Sequence, residues 1–440
     1  MASLPPVKVG LLGLGTVGGG TVTVLRRNAK LIASRAGRTI EITVASARDI
    51  GKARDIDLSG IRLVPDPFAV VDDREVEIVV ELIGGIEPAR ALVLRALANG
   101  KHVVTANKAL IALHGNEIFE AAQKRGVVVA FEAAVAGGIP VIKVMREALA
   151  GNDILWLAGI INGTCNFILT AMSEAGRDFG EVLAEAQERG YAEADPSFDI
   201  DGIDAAHKLT ILAALAFGIP LQFEQVYVEG IRHIAREDVA YAERLGYRIK
   251  HLGIARQREQ GIELRVHPTL IKARQPLANV NGVMNAVLIQ GDAAGPVLLS
   301  GRGAGAEPTA SSVVADLVDV VRALTSDTEH RVPHLAFQPD AVEEQPILPM
   351  EEAETAYYLR LEVSDRPGVL ADVTRILGDR GISIEALLQL EHKDENAGPV
   401  PIVLLTHRVR EKAMNDAIAQ LEALAAIQDR VVRIRLEALK

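Results

Sequence analysis

The stretch GIDAAHKLTILAALAFG, residues 202–218, has an acidic and a basic side chain at the head of an apolar helix. Asp204 and Lys208 are four residues apart, so they share one face of that helix. The same face continues through Ile211 and Leu215, and we therefore expect Lys208 to be partly desolvated, with its amine pKa lowered. With Asp204 holding its charge and orientation, Lys208 is a candidate general acid. The alternative is an exposed helical ion pair worth about 0.3–0.5 kcal/mol, which does not explain the apolar continuation.

Carboxylates crowd the turn that precedes this helix. The segment GYAEADPSFDIDGIDAAHK carries them at Glu193, Asp195, Asp199, Asp201 and Asp204. Such a cluster either compensates the helix dipole or recognises the ammonium group of an amino-acid substrate. The residues alone leave both interpretations open.

A glycine motif follows the first apolar run of the chain. GLGTVG matches G-x-G-x-x-G, and it lies between a predicted strand and a predicted helix. Glycines permit a tight turn and the close approach of a pyrophosphate, whose negative charge meets the N-terminus of the helix. The motif therefore predicts dinucleotide binding rather than a structural turn, with candidate contacts at Gly13, Gly15, Thr16, Val17 and Gly18.

The end of the second strand normally decides between NAD and NADP. An acidic residue there binds the ribose 2′-hydroxyl, whereas an arginine accepts a 2′-phosphate. This sequence has TVASARDIGK, in which Arg48 follows neutral residues and Lys52 is near. NADP is therefore favoured, although Asp49 is an acidic alternative slightly later in the chain. The other interpretation of Arg48 is a solvated loop charge.

Two further segments follow strands of the same predicted sheet. TANKAL places Lys108 just past a strand, at the carboxyl edge where ligands of open α/β folds bind, so its ammonium group can face a substrate carboxylate or a cofactor. FEAAVAGGIP then offers Glu132 and the carbonyls of a glycine-rich turn as oxygen ligands for a hard cation. Judged on its residues alone, a loop crossing between domains explains this second segment better.

The elements that must position these residues alternate over residues 7 to about 135. Short Val- and Ile-rich runs separate amphipathic helical stretches, which predicts an α/β fold with a Rossmann-type, parallel, doubly wound sheet. The runs are VKVGLLG, IEITVASA, EIVVELIG, HVVTA and VVVAF. From Pro140 to Gly218 the pattern is mainly helical, and from Tyr247 to Leu299 it predicts strands, which together indicate an inserted α+β domain.

The C-terminal part of the chain follows a different pattern. Its order of strand, helix, two strands, helix and strand predicts a ferredoxin-like domain. The predicted domains are therefore residues 1–139 for dinucleotide binding and 140–305 for the inserted domain, with a returning helix over 306–330, a linker over 331–354 and the ferredoxin-like domain over 355–440.

Composition excludes several classes of protein. The 440 residues, 49% of them hydrophobic, are too many for one core and suggest about two to four domains. The 47 basic and 58 acidic residues give a net charge of −11 without a dense basic run, which argues against nucleic-acid and membrane partners. The N-terminus has no signal-peptide pattern, and no apolar run approaches the roughly 20 residues of a membrane span, so we expect a cytoplasmic protein. The single cysteine, Cys165, excludes a disulfide framework and is best explained as a small buried side chain.

Together these motifs resemble the homoserine dehydrogenases, in the longer bacterial form that ends in an ACT domain. The matching segments span essentially the whole chain: GLGTVG, TANKAL, FEAAVAGGIP, INGTCNFILT, GYAEADPSFDIDGIDAAHKL, GRGAGAEPTASSVVAD and LEVSDRPGVLADVTRILGDRGISIEALLQ. The resemblance implies the reversible NAD(P)-dependent interconversion of L-homoserine and L-aspartate 4-semialdehyde, in the route to threonine and methionine.

The resemblance also implies roles for individual residues. Lys208 matches the family's proton donor, Asp204 its neighbouring substrate-binding carboxylate, and Glu193 the residue that recognises the substrate. Lys108 matches a lysine between cofactor and substrate, and Gly305 a glycine near the cofactor. A site for a monovalent cation such as sodium, built largely from carbonyls, is matched by Glu132, Val135, Gly137 and Ile139.

For the C-terminal domain, the resemblance implies allosteric binding of threonine. Its first helix opens after Pro367 and Gly368, where free backbone N–H groups are suited to an amino-acid carboxylate. The alternative is an ACT domain that mainly mediates oligomerisation. The family also implies a homodimer or homotetramer, with dimer contacts through strands of the inserted domain.

Two other functions compete with this one. A catalytically inactive amino-acid sensor would not need Glu193, Asp204, Lys108 and Lys208 together at the family's spacing. A different semialdehyde dehydrogenase with a thioester mechanism would need Cys165 as its nucleophile, and the setting NGTCNF gives no support for that role.

Overall fold

The structure is a computed structural model that describes residues 4–327, 331–389 and 399–439. Its strands are β1 (Val7–Leu12), β2 (Ile40–Ser46), β3 (Arg62–Val64), β4 (Ile78–Glu81), β5 (His102–Thr105), β6 (Val129–Ala130), β7 (Ile154–Ile160), β8 (Tyr227–Val228), β9 (Tyr247–Arg258), β10 (Gly261–Lys272), β11 (Met284–Gly291), β12 (Gly295–Arg302), β13 (Glu354–Val363), β14 (Ile384–Gln389), β15 (Val400–Thr406), β16 (Val409–Arg410) and β17 (Val432–Glu437).

The helices include one short element with unusual geometry. α6 continues directly into a π-helical turn over Val144–Ala148. The helices are α1 (Thr16–Arg27), α2 (Ala29–Ala36), α3 (Phe68–Val71), α4 (Ala89–Ala98), α5 (Lys108–Arg125), α6 (Val141–Lys143), α7 (Gly163–Ala175), α8 (Phe179–Glu188), α9 (Ser197–Ile200), α10 (Ile203–Phe217), α11 (Arg236–Arg244), α12 (Ala306–Ala323), α13 (Val369–Gly378) and α14 (Glu411–Glu422). None of the described helices is long and apolar enough to cross a membrane.

The chain divides into two compact units, each assembled from separate segments. The first unit consists of residues up to Gly163, Ile203–Val226 and Val283–Gln345. The second consists of Thr164–Gly202, Tyr227–Gly282 and the chain from Pro346 onward. The inserted domain predicted from the sequence therefore contributes segments to both units.

The first unit contains a parallel sheet with the strand order β3-β2-β1-β4-β5-β6, which confirms the predicted Rossmann-type sheet. The sequence pattern did not single out β3, a three-residue strand too short to show a periodicity. Register aligns Leu12 with Ser46 and with Glu81, and Glu81 with Thr105. The loops after β1, β2, β4 and β5 therefore leave the sheet at one common edge.

Helix α12 packs on the same core as the parallel sheet. Its residues Val313, Leu317 and Val320 are buried in one cluster with β1. Close packing against α1 depends on Gly20, because a Cβ there would lie 2.5 Å from the carbonyl oxygen of Ala306. Helix α12, which follows the inserted segments in the chain, therefore packs against the parallel sheet of the first unit.

A second, antiparallel sheet in the first unit consists of β12, β11 and β7 in that order. Strand β7 differs from the mainly helical pattern predicted for residues 140–218. Its sequence, ILWLAGI, is a short buried apolar run, and such a run does not distinguish a strand from a helix segment by periodicity.

The second unit is built around the long antiparallel pair β9 and β10. Strand β17 pairs in parallel with β10 and antiparallel with β13, and β15 and β14 follow outward. The C-terminal order β13-α13-β14-β15-α14-β17 confirms the predicted ferredoxin-like domain. The apolar segment ISIEALLQLEH, residues 382–392, predicts the strand that corresponds to β14, and its residues 390–392 lie outside the described part of the chain. Between α12 and β13 the described residues are irregular, with 3₁₀ turns at Pro339–Ala341 and Met350–Glu352.

Candidate active site

Asp204 is the centre of a buried polar cluster in the first unit. Its Oδ1 lies 2.8 Å from the Nζ of Lys108, and its Oδ2 lies 2.7 Å from the Nζ of Lys208. The side-chain amide of Asn162 also donates to Oδ2, over 2.8 Å. One carboxylate thus holds two ammonium groups, one on each oxygen.

Helix α10 carries Asp204 and Lys208 into the interior. Every residue from Asp204 to Phe217 is buried, and the exposed fractions are 3% for Asp204 and 9% for Lys208. The structure therefore confirms the burial of Lys208 that helical phase predicted. The Nζ of Lys208 also donates to the carbonyl oxygen of Ile161 over 2.7 Å, which fixes the end of the side chain.

The electrostatics of the cluster follow from its burial. Burial alone would raise the pKa of Asp204, but the ammonium groups of Lys208 and Lys108 outweigh it and hold that pKa well below its usual range. Burial also lowers the pKa of His207 to about 4, so this neighbour is neutral at pH 7. Two ammonium groups against one carboxylate therefore give the cluster a net positive charge. The lowered pKa expected for Lys208 itself stays a prediction.

Lys108 is the first residue of α5, and the residue before it fixes the start of this helix. The Oδ1 of Asn107 accepts a hydrogen bond from the backbone N–H of Leu110 over 3.1 Å, as an N-cap residue does. The side chain of Lys108 is 33% exposed while its Nζ contacts Asp204. It is thus in contact with both solvent and the buried cluster, at the carboxyl edge of the sheet where the sequence predicted it.

The glycine motif has the geometry that dinucleotide binding requires. Gly13 has a φ of 95°, and a Cβ on Gly18 would lie 2.1 Å from the carbonyl oxygen of Gly13, so only glycine fits there. Thr16 begins α1, and no acidic residue occupies the first turn of this helix. The N-terminus of α1 can therefore accept a pyrophosphate. Gly305 is the residue before α12, with a φ of 127°.

The loop after β2 contains the two candidates for ribose recognition, Arg48 and Asp49. The Oδ1 of Asp49 accepts hydrogen bonds from the backbone N–H groups of Gly51 and Lys52, over 2.9 and 3.0 Å. One of the two Asp49 carboxylate oxygens is thus occupied within its own loop. Arg48 and Asp49 are both exposed.

The candidate cation loop lies in the first unit and is buried. The carboxylate of Glu132 accepts hydrogen bonds from the backbone N–H groups of Ile142 and Lys143, over 2.9 and 2.8 Å, and so caps the start of α6. The carbonyl oxygen of Gly137 accepts from the Oγ of Ser312, and that of Ile139 from the N–H of Val141. A carbonyl oxygen has two lone pairs and a carboxylate has about four acceptor sites, so all of these oxygens can still bind a cation. The donor set of the loop is therefore compatible with a hard cation.

The remaining acidic residues belong to the second unit, where several already have partners. Asp195 accepts from the N–H of Ser197 over 3.1 Å, and Asp201 forms an ion pair with Arg232. Glu193 is exposed, and its backbone carbonyl is held by the side-chain amide of Gln187 at 3.1 Å. The cluster predicted from the sequence is thus divided among separate contacts.

Cys165 also lies in the second unit. It is fully buried, and its Sγ contacts the carbonyl oxygen of Asp199 at 3.3 Å. This agrees with the structural interpretation of its sequence and gives no support to a nucleophilic role, since reactive thiols are normally partly exposed.

Sequence reasoning did not identify Asn162 or the carbonyl of Ile161 as parts of the site. Both follow β7 directly, and the next residue is Gly163, where a Cβ would lie 2.9 Å from the carbonyl oxygen of Val283. The signal available in the sequence was the polar-glycine pair after the apolar run ILWLAGII, which marks a turn at a strand end.

Comparisons with known protein families agree with this geometry. Residues 140–318 match a family described as homoserine dehydrogenase, and residues 13–132 match the homoserine dehydrogenase NAD-binding domain. Residues 357–426 match the ACT domain. The first two matches include Lys108, Asp204 and Lys208 in the first unit and Glu193 in the second unit, and the third lies in the C-terminal domain.

Individual relatives are similar over the full length. The chain is 63% identical to a homoserine dehydrogenase of Pseudomonas aeruginosa, over 99% of this chain and 100% of the relative. A crystal structure of a homoserine dehydrogenase from Thiobacillus denitrificans superposes with a TM-score of 0.95, at 64% identity and 100% coverage of both chains. A hyperthermophilic archaeal homoserine dehydrogenase in complex with NADPH superposes with a TM-score of 0.61, at 27% identity, covering 72% of this chain and 97% of that one.

Proposed function

Since the chain belongs to the homoserine dehydrogenase family and is an NAD(P)-dependent oxidoreductase acting on a CH–OH group, we propose that Lys208 supplies the proton in this reaction. In the reductive direction a nicotinamide cofactor, when bound, would supply the hydride that the aldehyde carbon of L-aspartate 4-semialdehyde accepts. The carbonyl oxygen gains negative charge as this bond forms, and Lys208 gives it the proton that completes L-homoserine. In the oxidative direction Lys208 takes the proton back.

The observation that carries this proposal is the cluster of Lys108, Asp204 and Lys208. Its positive charges are held in place by the buried carboxylate of Asp204 before substrate arrives, so a developing alkoxide is stabilised without reorganisation of the site. Asp204 orients both ammonium groups, because each of its oxygens contacts one of them. We propose that Lys108 lies between the cofactor and the substrate.

NADPH oxidation with L-aspartate 4-semialdehyde tests the role of Lys208. We expect Lys208→Met to lower kcat by at least about a hundredfold, because general acid–base catalysis contributes about 10²- to 10⁴-fold. Lys208→Arg keeps the charge but donates a proton poorly, so its kcat should also fall and its pH profile should change. Lys124→Met, an exposed lysine of α5, is the matched control. A Lys208→Met enzyme with the kcat of the wild type overturns the proposal.

We also propose that the enzyme prefers NADP to NAD. Arg48 is exposed at the end of β2, and the Oδ1 of Asp49 is occupied by the backbone of its own loop. A 2′-phosphate would therefore meet a cation in a place where NAD-specific sites carry a free carboxylate.

A monovalent cation such as sodium is proposed at the loop that contains Glu132, Val135, Gly137 and Ile139. The proposal is supported by the oxygen donors of this loop, since the Glu132 carboxylate keeps acceptor capacity beyond its two hydrogen bonds to α6. Bound there, a cation would supply electrostatic stabilisation to a buried loop rather than polarise the substrate.

Glu193 is proposed to bind the ammonium group of the amino-acid substrate. Its side chain is exposed, while the amide of Gln187 holds the backbone carbonyls of Glu193 and Ala194. A carboxylate on a turn whose backbone is held by hydrogen bonds is suited to recognising a cation.

Threonine feedback through the ACT domain is the regulatory part of the proposal, within a pathway that leads to threonine and methionine. Arg435 on β17 is fully buried and donates to Glu229 over 2.7 Å and to the hydroxyl of Tyr227 over 3.1 Å. Two residues beyond Glu229, the N–H of Ile231 donates to the carbonyl of Ile200 over 2.9 Å. Contacts thus run from β17 of the C-terminal domain to Ile200, the last residue of α9.

The proposed assembly is a homodimer or homotetramer. Strand β12 is an edge strand of the antiparallel sheet in the first unit, and alternate residues along it are exposed, including Leu298. An exposed strand edge is suited to pairing with a second copy. Light scattering of the purified protein measures the number of chains.

A further inference from the structure

Glu81, the last residue of β4, is a fully buried carboxylate that hydrogen bonds hold in place. Its Oε1 accepts from the backbone N–H groups of Ile83 and Gly84, over 2.8 and 3.2 Å. Its Oε2 accepts from the hydroxyl of Thr105 over 2.7 Å. None of the ion pairs among the described residues includes Glu81, so hydrogen bonds from neutral donors hold its side chain. A carboxylate suits this position because it accepts on both oxygens.

The hydrogen bonds continue from Glu81 to the start of α5. The hydroxyl oxygen of Thr105 accepts from the backbone N–H of Asn107 over 3.0 Å. The side chain of Asn107 caps the helix through Leu110 and donates to the carbonyl oxygen of Gly85 over 2.6 Å. Since Gly85 follows Gly84, the chain of contacts closes into a ring.

This ring ties together two segments that meet the proposed catalytic and cofactor sites. One is the loop of residues 82–85, whose Leu82 carbonyl lies so close to Gly13 that a Cβ there would be 2.9 Å away. The other is Asn107, the residue directly before Lys108. The position of Lys108 against Asp204, at 2.8 Å, therefore depends on a helix start that the ring holds.

We infer that Glu81 is a positioning residue for the reaction, which acts by fixing the start of α5 so that Lys108 meets Asp204. The inference rests on the role proposed above for Lys108. Glu81 touches neither Lys108 nor Asp204 directly, so its effect on the reaction must pass through Thr105 and Asn107. Misplacing a catalytic group by about 1 Å lowers the rate by as much as about a hundredfold, so a small displacement of Lys108 would have a large effect on the rate.

The test is a double-mutant cycle between Glu81→Gln and Lys108→Met, measured as kcat/KM for NADPH at saturating semialdehyde. Glutamine keeps the size of the side chain but loses its charge and one acceptor oxygen. We expect Glu81→Gln alone to lower kcat/KM by about tenfold, and to lower it by less than about twofold in the Lys108→Met background, because residues that act through each other are not additive. Arg95→Gln, an exposed residue of α4 that pairs with Asp72, is the control in both backgrounds.

The outcomes are distinguishable. If Lys108→Met lowers kcat/KM and Glu81→Gln lowers it by the same factor in both backgrounds, Glu81 has a general structural role and the inference is wrong. If Lys108→Met has no effect, the proposed role of Lys108 fails, and the inference fails with it. If Glu81→Gln does not fold, Thr105→Val replaces it in the same cycle, since valine keeps the shape of threonine and removes the hydroxyl that links Glu81 to Asn107.

Discussion

The side-chain amide of Asn162 and the ammonium group of Lys208 share one oxygen of Asp204, the amide at 2.8 Å and the ammonium at 2.7 Å. Asn162 follows β7, whereas Asp204 and Lys208 lie on α10. The hydrogen bond therefore ties the end of a strand to the helix that carries the proposed proton donor. Its energetic importance comes from burial, because removing one partner leaves a polar group without its hydrogen bond.

Replacing Asn162 tests that contact directly. We expect Asn162→Ala to lower kcat by about tenfold, the equivalent of about 1.4 kcal/mol, because Asp204 loses one of the donors that orient it. Asn162→Asp should lower kcat further, since it places a second carboxylate beside Asp204. Steady-state NADPH oxidation measures both variants. Equal kcat for Asn162→Ala and the wild type would show that the two lysines orient Asp204 without help.

Asp204→Asn is expected to destabilise the protein as well as inactivate it. The change leaves Lys108 and Lys208 without the carboxylate that compensates them, and breaking a buried ion pair in this way costs about 3 kcal/mol. The double variant Asp204→Asn with Lys208→Met removes one excess charge, so its free energy of unfolding should recover in part while its activity stays low. Urea unfolding and NADPH oxidation measure the two effects. A double variant less stable than Asp204→Asn alone would contradict the electrostatic explanation.

The cofactor preference is tested at Arg48. Arg48→Ala should raise the KM for NADPH by about tenfold, because a charge-assisted hydrogen bond to a phosphate is lost. The KM for NADH should change by less than about twofold. Lys30→Ala, an exposed residue of α2, serves as the control for a lost surface charge. A change of the same size in both KM values would assign Arg48 to general loop structure.

The second unit contains a buried lysine, Lys250, that makes the free energy of unfolding depend on pH in the alkaline range. Lys250 is buried, and its Nζ donates to Asn166, Val280 and Asn281 over 3.1, 2.7 and 3.1 Å. Burial lowers the pKa of Lys250 to about 8, with Arg248 adding to the effect. Between pH 8 and the ordinary lysine pKa of 10.5 the unfolded chain binds more protons than the folded chain, so this residue makes stability rise with pH.

Lys250→Met removes that contribution. From pH 7 to pH 10 the free energy of unfolding of the wild type should increase by about 2 kcal/mol more than that of the variant. Urea unfolding at the two pH values measures the difference. Lys272→Met, at the exposed end of β10, should follow the wild type. Parallel pH dependence of Lys250→Met and wild type would show that Lys250 stays charged when buried.

Feedback is tested at the contact between Glu229 and Arg435. Glu229→Gln keeps the shape of the side chain and leaves Arg435 paired with Glu411. We expect the threonine concentration for half-inhibition to rise by about tenfold, with uninhibited kcat within about twofold, because the charged link between β17 and residues 227–231 is weakened. Glu237→Gln on the exposed face of α11 is the control. Unchanged threonine sensitivity in Glu229→Gln would exclude this route for the signal.

Features with a local pattern were predictable from the sequence. The alternation of apolar runs and amphipathic helices indicated the parallel sheet, because the periodicities of strands and helices depend only on residues close together in the sequence. Gly13, Gly15 and Gly18 marked the nucleotide loop through their spacing and their place between a predicted strand and a predicted helix. The burial of Lys208 followed from the phase it shares with Ile211 and Leu215 on one helix, and the C-terminal domain followed from the order of its elements.

Which side chains meet was decided by the tertiary structure. Lys108 reaches Asp204 because β5 ends at the edge of the parallel sheet and α10 packs against α5, and no local spacing relates two such distant residues. Asn162 contacts Asp204 from the end of β7. Periodicity does not distinguish the short apolar run of this strand from a segment of buried helix. The link from Glu81 to Thr105 and Asn107 requires the register between β4 and β5. Periodicity determined the elements of this protein, and the register and packing between those elements determined its site.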